Sequence, residues 1–249
     1  MPMLTEIAEE LRAGRPVLVY DFDGRERETD IVFASQFITP EKVRFMRKYG
    51  GGLICTTVTE EMASAIGLPY LEDVLRTSSL VPDILLDASD LKYDRNSSFS
   101  LTVNHRNTFT GIPDVDRALT ISEFARFLGE LEEFGERATV EFARRFRSPG
   151  HVILLIAREG YFGRRRGHTE LSTYLVESAG LIPSATIVEM LSDTGRSMTK
   201  EEAMAFASQN SLKFIEGKAI VEEWADGQGN GHGGLRHTAP RPPSLSEGE

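Results

Sequence analysis

Three stretches of this 249-residue chain bring together residue types that can do chemistry. The first is Arg25-Glu26-Arg27-Glu28-Thr29-Asp30, directly after an apolar run. In an extended backbone alternate side chains share a face, so Glu26, Glu28 and Asp30 would point one way and Arg25 and Arg27 the other. Carboxylates gathered on one side can hold a hard divalent ion or supply a base, although such a run also serves as a solvated turn. The second stretch is Arg164-Arg165-Arg166-Gly167-His168-Thr169-Glu170, ahead of an amphipathic pattern. A helix N-terminus offers unpaired N–H donors, Thr169 adds a hydroxyl, Gly167 allows close approach, and arginine grips phosphate through parallel bonds. In an acidic chain this is a natural seat for a small phosphorylated ligand, with His168 as metal ligand or proton carrier beside it. An arginine run with one histidine is also an ordinary surface patch.

The third group lies at strand ends: His151, in Arg147-Ser-Pro-Gly-His151, and Glu189, after Ile187-Val188. Open α/β sheets collect functional groups where rigid strands meet loops, and either residue fits a structural role equally well. Cys55 reads as a small buried hydrophobe, since nothing near it in sequence would lower its pKa. His232 and His237 fall in a polar tail without fixed geometry. Asp21-Phe-Asp23-Gly24 has its glycine too early for a calcium loop. Val17-Leu-Val-Tyr-Asp21-Phe-Asp23-Gly24 resembles the opening of the haloacid-dehalogenase-like phosphatases, which makes Asp21 a rival nucleophile. Arg25 follows where that family has Thr or Val, and no downstream Asp pair completes its magnesium site.

The elements that must hold these residues alternate between helix and strand. Thr5 is placed to cap a first helix that Gly14 stops before the strand Pro16–Tyr20. Thr39-Pro40-Glu41 opens a second helix, which Gly50-Gly51-Gly52 ends before a strand over 53–58, and Thr59 and Gly67 bracket a third. Leu75 to Asn96 reads as a long surface excursion. Ser98–His105 alternates as a strand, and Thr120-Ile-Ser-Glu123 has capping-box spacing. A buried strand at 152–156, a helix at 169–179, a strand at 185–188, a second capping box at Thr199–Glu202, a strand near 212–215 and a helix near 218–224 complete the pattern. The reading is one α/β domain over 1–225 with a Gly/Pro/Ser-rich tail over 226–249, expected to be disordered.

Composition narrows the partners. With 28 Lys+Arg against 38 Asp+Glu, the net charge of −10 disfavours nucleic acid and anionic membrane as general partners. A single cysteine excludes an internal disulfide and suits a reducing compartment, so the cytoplasm is expected. The acidic start is unlike a signal peptide, and no apolar run reaches membrane-spanning length.

Taken in order, the motifs are similar to those of the 3,4-dihydroxy-2-butanone 4-phosphate synthase family. These are Arg25-Glu26-x-Glu28-x-Asp30, Gly52-Leu-Ile-Cys55, Thr110-Gly-Ile with Asp116-Arg117 and Thr120-Ile121, Arg147-Ser-Pro-Gly-His151-Val, Gly167-His168-Thr169-Glu170, Ala179-Gly-Leu-Ile-Pro183 and Glu189-Met190. The resemblance spans about residues 4–224, and the Asn104-His-Arg-Asn-Thr-Phe-Thr-Gly111 run is similar to the archaeal-type branch.

The resemblance implies a three-layer α/β (α+β) sandwich with a mixed sheet, forming homodimers with sites at the subunit interface. It implies conversion of D-ribulose 5-phosphate to a four-carbon phosphate and formate in riboflavin biosynthesis. It also implies magnesium, with manganese an alternative, as one or two ions held by Glu26 and His168. Arg25, Asp30, Arg165 and Thr169 are implied substrate ligands, joined by Thr110 and Cys55. His151 and Glu189 are implied acid/base groups, with Asp30 or Glu28 as a further base, and the Glu26–Glu28 segment is implied to be a mobile loop. Val188 stands where the family often has cysteine, and the arginine run before Gly167 is more basic than usual. A non-catalytic or altered-substrate relative binding another sugar phosphate is the remaining alternative.

Overall fold

Apolar alternation in this chain resolves into one mixed sheet whose two faces bury separate clusters. The computed structural model describes residues 2–94 and 96–229. In chain order the elements are α1 (Pro2–Arg12), β1 (Val17–Tyr20), β2 (Thr29–Ala34), α2 (Pro40–Tyr49), β3 (Cys55–Thr59), α3 (Glu60–Ile66), α4 (Leu71–Thr77), β4 (Phe99–His105) and α5 (Asp114–Gly129). There follow α6 (Leu131–Phe134), α7 (Ala138–Arg145), β5 (Phe146–Ala157), α8 (His168–Ser178), β6 (Ala185–Glu189), α9 (Lys200–Gln209), β7 (Lys213–Glu216) and α10 (Gly217–Gly229).

The seven strands run β4-β5-β3-β6-β2-β1-β7. The β3/β5 and β1/β7 pairs are parallel and the others antiparallel. Ile31 and Phe33 of β2 face one layer with Val43, Met46, Ile121 and Phe124. Val32 and Ala34 face the opposite layer with Ile7, Leu11, Leu171, Leu175 and Ile220. Period-two strands thus supply two cores, and helices cover both faces as a three-layer sandwich.

Several caps stand where the sequence places them. The Thr39 hydroxyl accepts from Lys42 N at 3.4 Å ahead of Pro40, and Thr59 accepts from Met62 N at 3.2 Å. Thr199 and Glu202 exchange both capping-box bonds at 3.2 and 2.8 Å. Two expected caps are corrected. Thr5 lies inside α1, which already begins at Pro2. Thr120 lies inside α5, which begins at Asp114; its hydroxyl accepts from His105 N and donates to Asp116 O, tying helix to strand. The 75–96 excursion contains the end of α4 and a 3-10 turn at Asp83–Leu86. α10 continues to Gly229, and the tail expected to be disordered over 226–249 lies, beyond 229, outside the described residues. No helix among the described residues is long and apolar enough to cross a membrane.

Candidate active site

The chemistry collects on the face covered by α1, α8 and α10, where β1 ends, β2 begins and α8 starts. Asp21, 1% exposed, organises the connection. Its Oδ2 accepts from Glu26 N at 3.0 Å, its Oδ1 from Glu28 N at 3.1 Å, and Arg25 Nη1 lies 3.2 Å away. The backbone therefore curls around one carboxylate, with Arg27 at φ +60°, and is extended only from Thr29 onward. That corrects the alternating-face arrangement expected for residues 25–30. It also leaves both Asp21 oxygens engaged in holding the loop, which argues against the phosphatase reading.

The curl sends the three carboxylates to different partners. Glu26 Oε2 meets His168 Nδ1 at 3.3 Å. Glu28 turns its side chain to Ser197, whose hydroxyl donates at 2.5 Å, and offers its backbone carbonyl to His168 Nε2 at 3.2 Å. The carbonyl can only accept, so Nε2 carries a proton and Nδ1 is the nitrogen that faces Glu26. Asp30, 1% exposed, lies with Oδ1 3.7 Å from Nε2, and among the described residues neither of its oxygens has a hydrogen-bond partner. A buried carboxylate without donors is costly, and the His168 imidazole beside it offsets only part of that cost. Ligand atoms of Asp21, Glu26 and His168 lie within 4.8 Å of one another. Both Asp21 oxygens accept from loop backbone N–H groups, whereas Glu26 Oε2 is held only by side chains, Arg25 Nη1 at 2.5 Å and His168 at 3.3 Å, so Glu26 and His168 are the pair that could turn to a divalent cation, with Asp30 behind them.

Electrostatics follow from this crowding. Burial pushes Asp30 up to about 8, with Glu189, Glu26 and Glu28 adding to the rise and His168 opposing it. Burial alone would lower His168, but Asp30 and the bond to Glu26 outweigh it and hold the imidazole at about 9. Burial would likewise raise Glu26, yet the His168 bond and the Arg25 charge bring it down to about 2.

Beside the pair lies an anion seat. Arg25 Nε and Nη2 each lie 2.9 Å from Asp94 Oδ2, and Arg165 Nε approaches the same oxygen at 3.5 Å. Arg165 Nη1 also donates to Glu170 Oε2 at 2.7 Å, and this fully buried carboxylate accepts from Gly167 N and Arg158 N besides. A Cβ on Gly167 would come within 2.2 Å of Arg165 Nη1 and 2.7 Å of Arg25 Nη2, so a side chain there would displace both guanidiniums from the start of α8. Thr169, in the first turn of that helix, is 4% exposed. Asp94 and Ser197 are the site residues that sequence reading missed. A lone acid in an Asp-rich excursion, or a serine in a hairpin, leaves no local pattern to find.

The floor comes from neighbouring strands. Asp30 pairs in register with Glu189, and Ile187 pairs with Cys55, so these side chains share one face. Glu189 Oε2 accepts from Leu53 N at 2.8 Å. Cys55 is buried, and burial pushes its thiol up, with Glu189 and Asp30 adding to the effect. A Cβ on Gly52 would lie 2.1 Å from Glu189 Oε2 and 2.8 Å from its Cβ. Gly52→Ala is therefore expected to push Glu189 off Leu53, cutting turnover at a stability cost of about 1–3 kcal/mol. Thermal melting and product release check it, and wild-type values in both would contradict it.

His151 and Thr110 do not join this group within the protomer. Both surround Asn104: its Nδ2 lies 3.1 Å from His151 Nδ1 and 3.3 Å from Thr110 O. β5 is separated from β2 by β3 and β6, a span of about 14 Å at ordinary strand spacing.

A three-layer α/β protein presenting a carboxylate–imidazole pair beside an arginine-lined anion seat is the class that fold and site define. The 3,4-dihydroxy-2-butanone 4-phosphate synthase profile matches residues 5–223. The chain belongs to the 3,4-dihydroxy-2-butanone 4-phosphate synthase family. It is 48% identical over 229 residues to the 3,4-dihydroxy-2-butanone 4-phosphate synthase of Archaeoglobus fulgidus, covering 89% of this chain and 95% of that one. The Methanothermobacter thermautotrophicus enzyme of the same name is 45% identical, with 90% and 96% covered. A crystal structure of a 3,4-dihydroxy-2-butanone 4-phosphate synthase in complex with two magnesium ions superposes with a TM-score of 0.71 at 28% identity, over 91% of this chain and 98% of that one.

Proposed function

We propose that this protein converts D-ribulose 5-phosphate to L-3,4-dihydroxy-2-butanone 4-phosphate and formate, as a step of riboflavin biosynthesis in the cytoplasm. The observation that carries the reading is the meeting of Glu26 and His168 at 3.3 Å, with the unpartnered Asp30 carboxylate behind them. The reaction removes a proton from carbon beside a ketone, loses water, rearranges the carbon skeleton and releases formate, and negative charge builds on adjacent oxygens. A divalent cation held by Glu26 and His168 would supply Lewis-acid stabilisation to those oxygens, and the two magnesium ions in the related structure support magnesium, with manganese the alternative.

The chain's own groups do the rest. Arg25 and Arg165 bind the phosphate, and the Asp94 carboxylate already lying between them marks where they stabilise negative charge. The first turn of α8, with Thr169, adds the positive end of a helix. Asp30, desolvated and without hydrogen bonds, is a carboxylate made unusually basic by burial and takes the first proton. Glu189 and His151 carry later protons, and Cys55 shapes the floor. Glu28, held by Ser197, closes the charged loop against water.

His151 and Thr110 are proposed to complete the site of a second copy in a homodimer. Support comes from the exposed apolar side chains beside them, Phe109 at 95% and Ile112 at 52%. Incubation of purified protein with ribulose 5-phosphate and magnesium is expected to release formate and a four-carbon phosphate, and a chelator to stop it. Release of inorganic phosphate instead, or binding without turnover, would refute the proposal.

A further inference from the structure

Asn104, 3% exposed, sits where β4 and β5 lose register. Val103 pairs with Val152 while Asn104 pairs with Arg147, so residues 148–151 of β5 bulge out with no opposing residue on β4. Side chains of β4 replace the missing ladder: Thr102 Oγ1 accepts from Gly150 N at 3.1 Å, and Asn104 Oδ1 accepts from His151 N at 2.8 Å. Two glycines wall the seat. A Cβ on Gly150 would lie 2.0 Å from the Val103 carbonyl carbon, and one on Gly111, at φ +99°, would lie 2.1 Å from Asn104 Nδ2.

The polarity of this seat is set by backbone groups that cannot change roles. The His151 N–H can only donate, so the Asn104 atom facing it is the oxygen. The Thr110 carbonyl, 3.3 Å from the other end of the amide, can only accept, so that end is the NH2 group. The same NH2 faces His151 Nδ1 at 3.1 Å, and Nδ1 must therefore accept. A proton on Nδ1 would bring two donors together.

We propose that Asn104 is a positioning residue for the reaction: its carboxamide locks the His151 ring as the neutral tautomer with the proton on Nε2, so that Nε2 is the atom presented to substrate. This rests on the reading of His151 as an acid/base group and states which nitrogen does the work. Asn104→Asp keeps the shape and the bond from His151 N–H, but puts an acceptor opposite Nδ1 and so selects the opposite tautomer. Holding an imidazole in the wrong tautomer removes proton transfer while leaving binding in place.

The test combines a spectroscopic and a kinetic measurement on the full chain. Long-range 1H–15N correlation spectra, with the His151 signals assigned through His151→Gln, are expected to show Nε2–H in the wild type and Nδ1–H in Asn104→Asp. The kcat of Asn104→Asp is expected to fall about 100-fold with KM within about threefold. A wild-type ring protonated on Nδ1, or a flipped tautomer with unchanged kcat, overturns the proposal; should Asn104→Asp not fold, the wild-type spectrum decides it. Full kcat in His151→Gln would instead overturn the acid/base reading of His151, and the positioning role with it. Loss of formate release from the wild type is a separate outcome that concerns the reaction alone.

Discussion

Glu26→Gln is expected to lose formate release by at least about a thousandfold, on the order of 4 kcal/mol of transition-state stabilisation, while the protein folds normally. The substitution keeps size and one acceptor oxygen but removes the charge that Glu26, held at about 2, carries throughout the working pH range. Arg25 retains Asp21 and Asp94 as partners, so the loop stays anchored. His168 Nδ1 loses its carboxylate neighbour, and the cation loses the ligand that supplies charge. Magnesium titration by calorimetry should show the affinity loss directly, and circular dichroism the intact fold. A variant that released formate at the wild-type rate would show that Glu26 does not hold the metal.

Asp30→Asn is expected to act in opposite directions on activity and stability. Turnover should fall by about 10²–10⁴, because an amide cannot take the proton that the desolvated carboxylate takes. Stability should rise in metal-free protein at alkaline pH. With Asp30 pushed up to about 8 when folded, the folded chain binds a proton that the unfolded chain has already released. Its contribution is therefore greatest below the ordinary carboxylate value and is lost as pH rises through about 8. His168, raised to about 9, has the same sign: its contribution is complete below its unfolded value near 6.5 and disappears as pH rises through about 9. Metal-free wild type should thus melt progressively lower between pH 6.5 and 9. The variant should show a weaker slope and, at pH 8.5, a gain on the order of 2 kcal/mol, or about 4–8 °C. Parallel melting profiles for the two proteins would mean that Asp30 is not a strained buried carboxylate.

The opposed effects share one cause. Asp30 stands on β2, between β6 and β1, and among the described residues neither of its oxygens has a hydrogen-bond partner. On the proposed function, activity keeps there a carboxylate that folding alone would replace, and a divalent cation held by Glu26 and His168 would relieve part of the cost.

Much of the scaffold is legible in the order of residues. Thr39-Pro40, Thr59 and Gly67, and Thr199 with Glu202 begin or end helices through bonds to residues three or four positions away, and strand alternation sorts Ile31 from Val32. Where such signals misled, a better-packed alternative won. Thr120 serves a strand rather than a helix start, since α5 extends further toward its N-terminus to pack across the sheet. The resemblance to a known family named Glu26, Asp30, His168, Arg25 and Arg165, and these meet on one face. It also named His151 and Thr110, which lie toward the β4 edge of the sheet.

By itself the sequence determined most of the helix ends and strand positions, because caps and periodicity act between residues a few positions apart, while the reactive groups were named by the resemblance to a known family. Only the tertiary structure decided that the 21–28 segment curls around Asp21, that Glu28 leaves the cluster for Ser197, that Asp94 lies between two arginines, and that Asn104 orients His151. Each of these except the Asp21 curl joins residues dozens to more than a hundred positions apart, and such pairs meet only when strands assemble; no spacing along the chain encodes them.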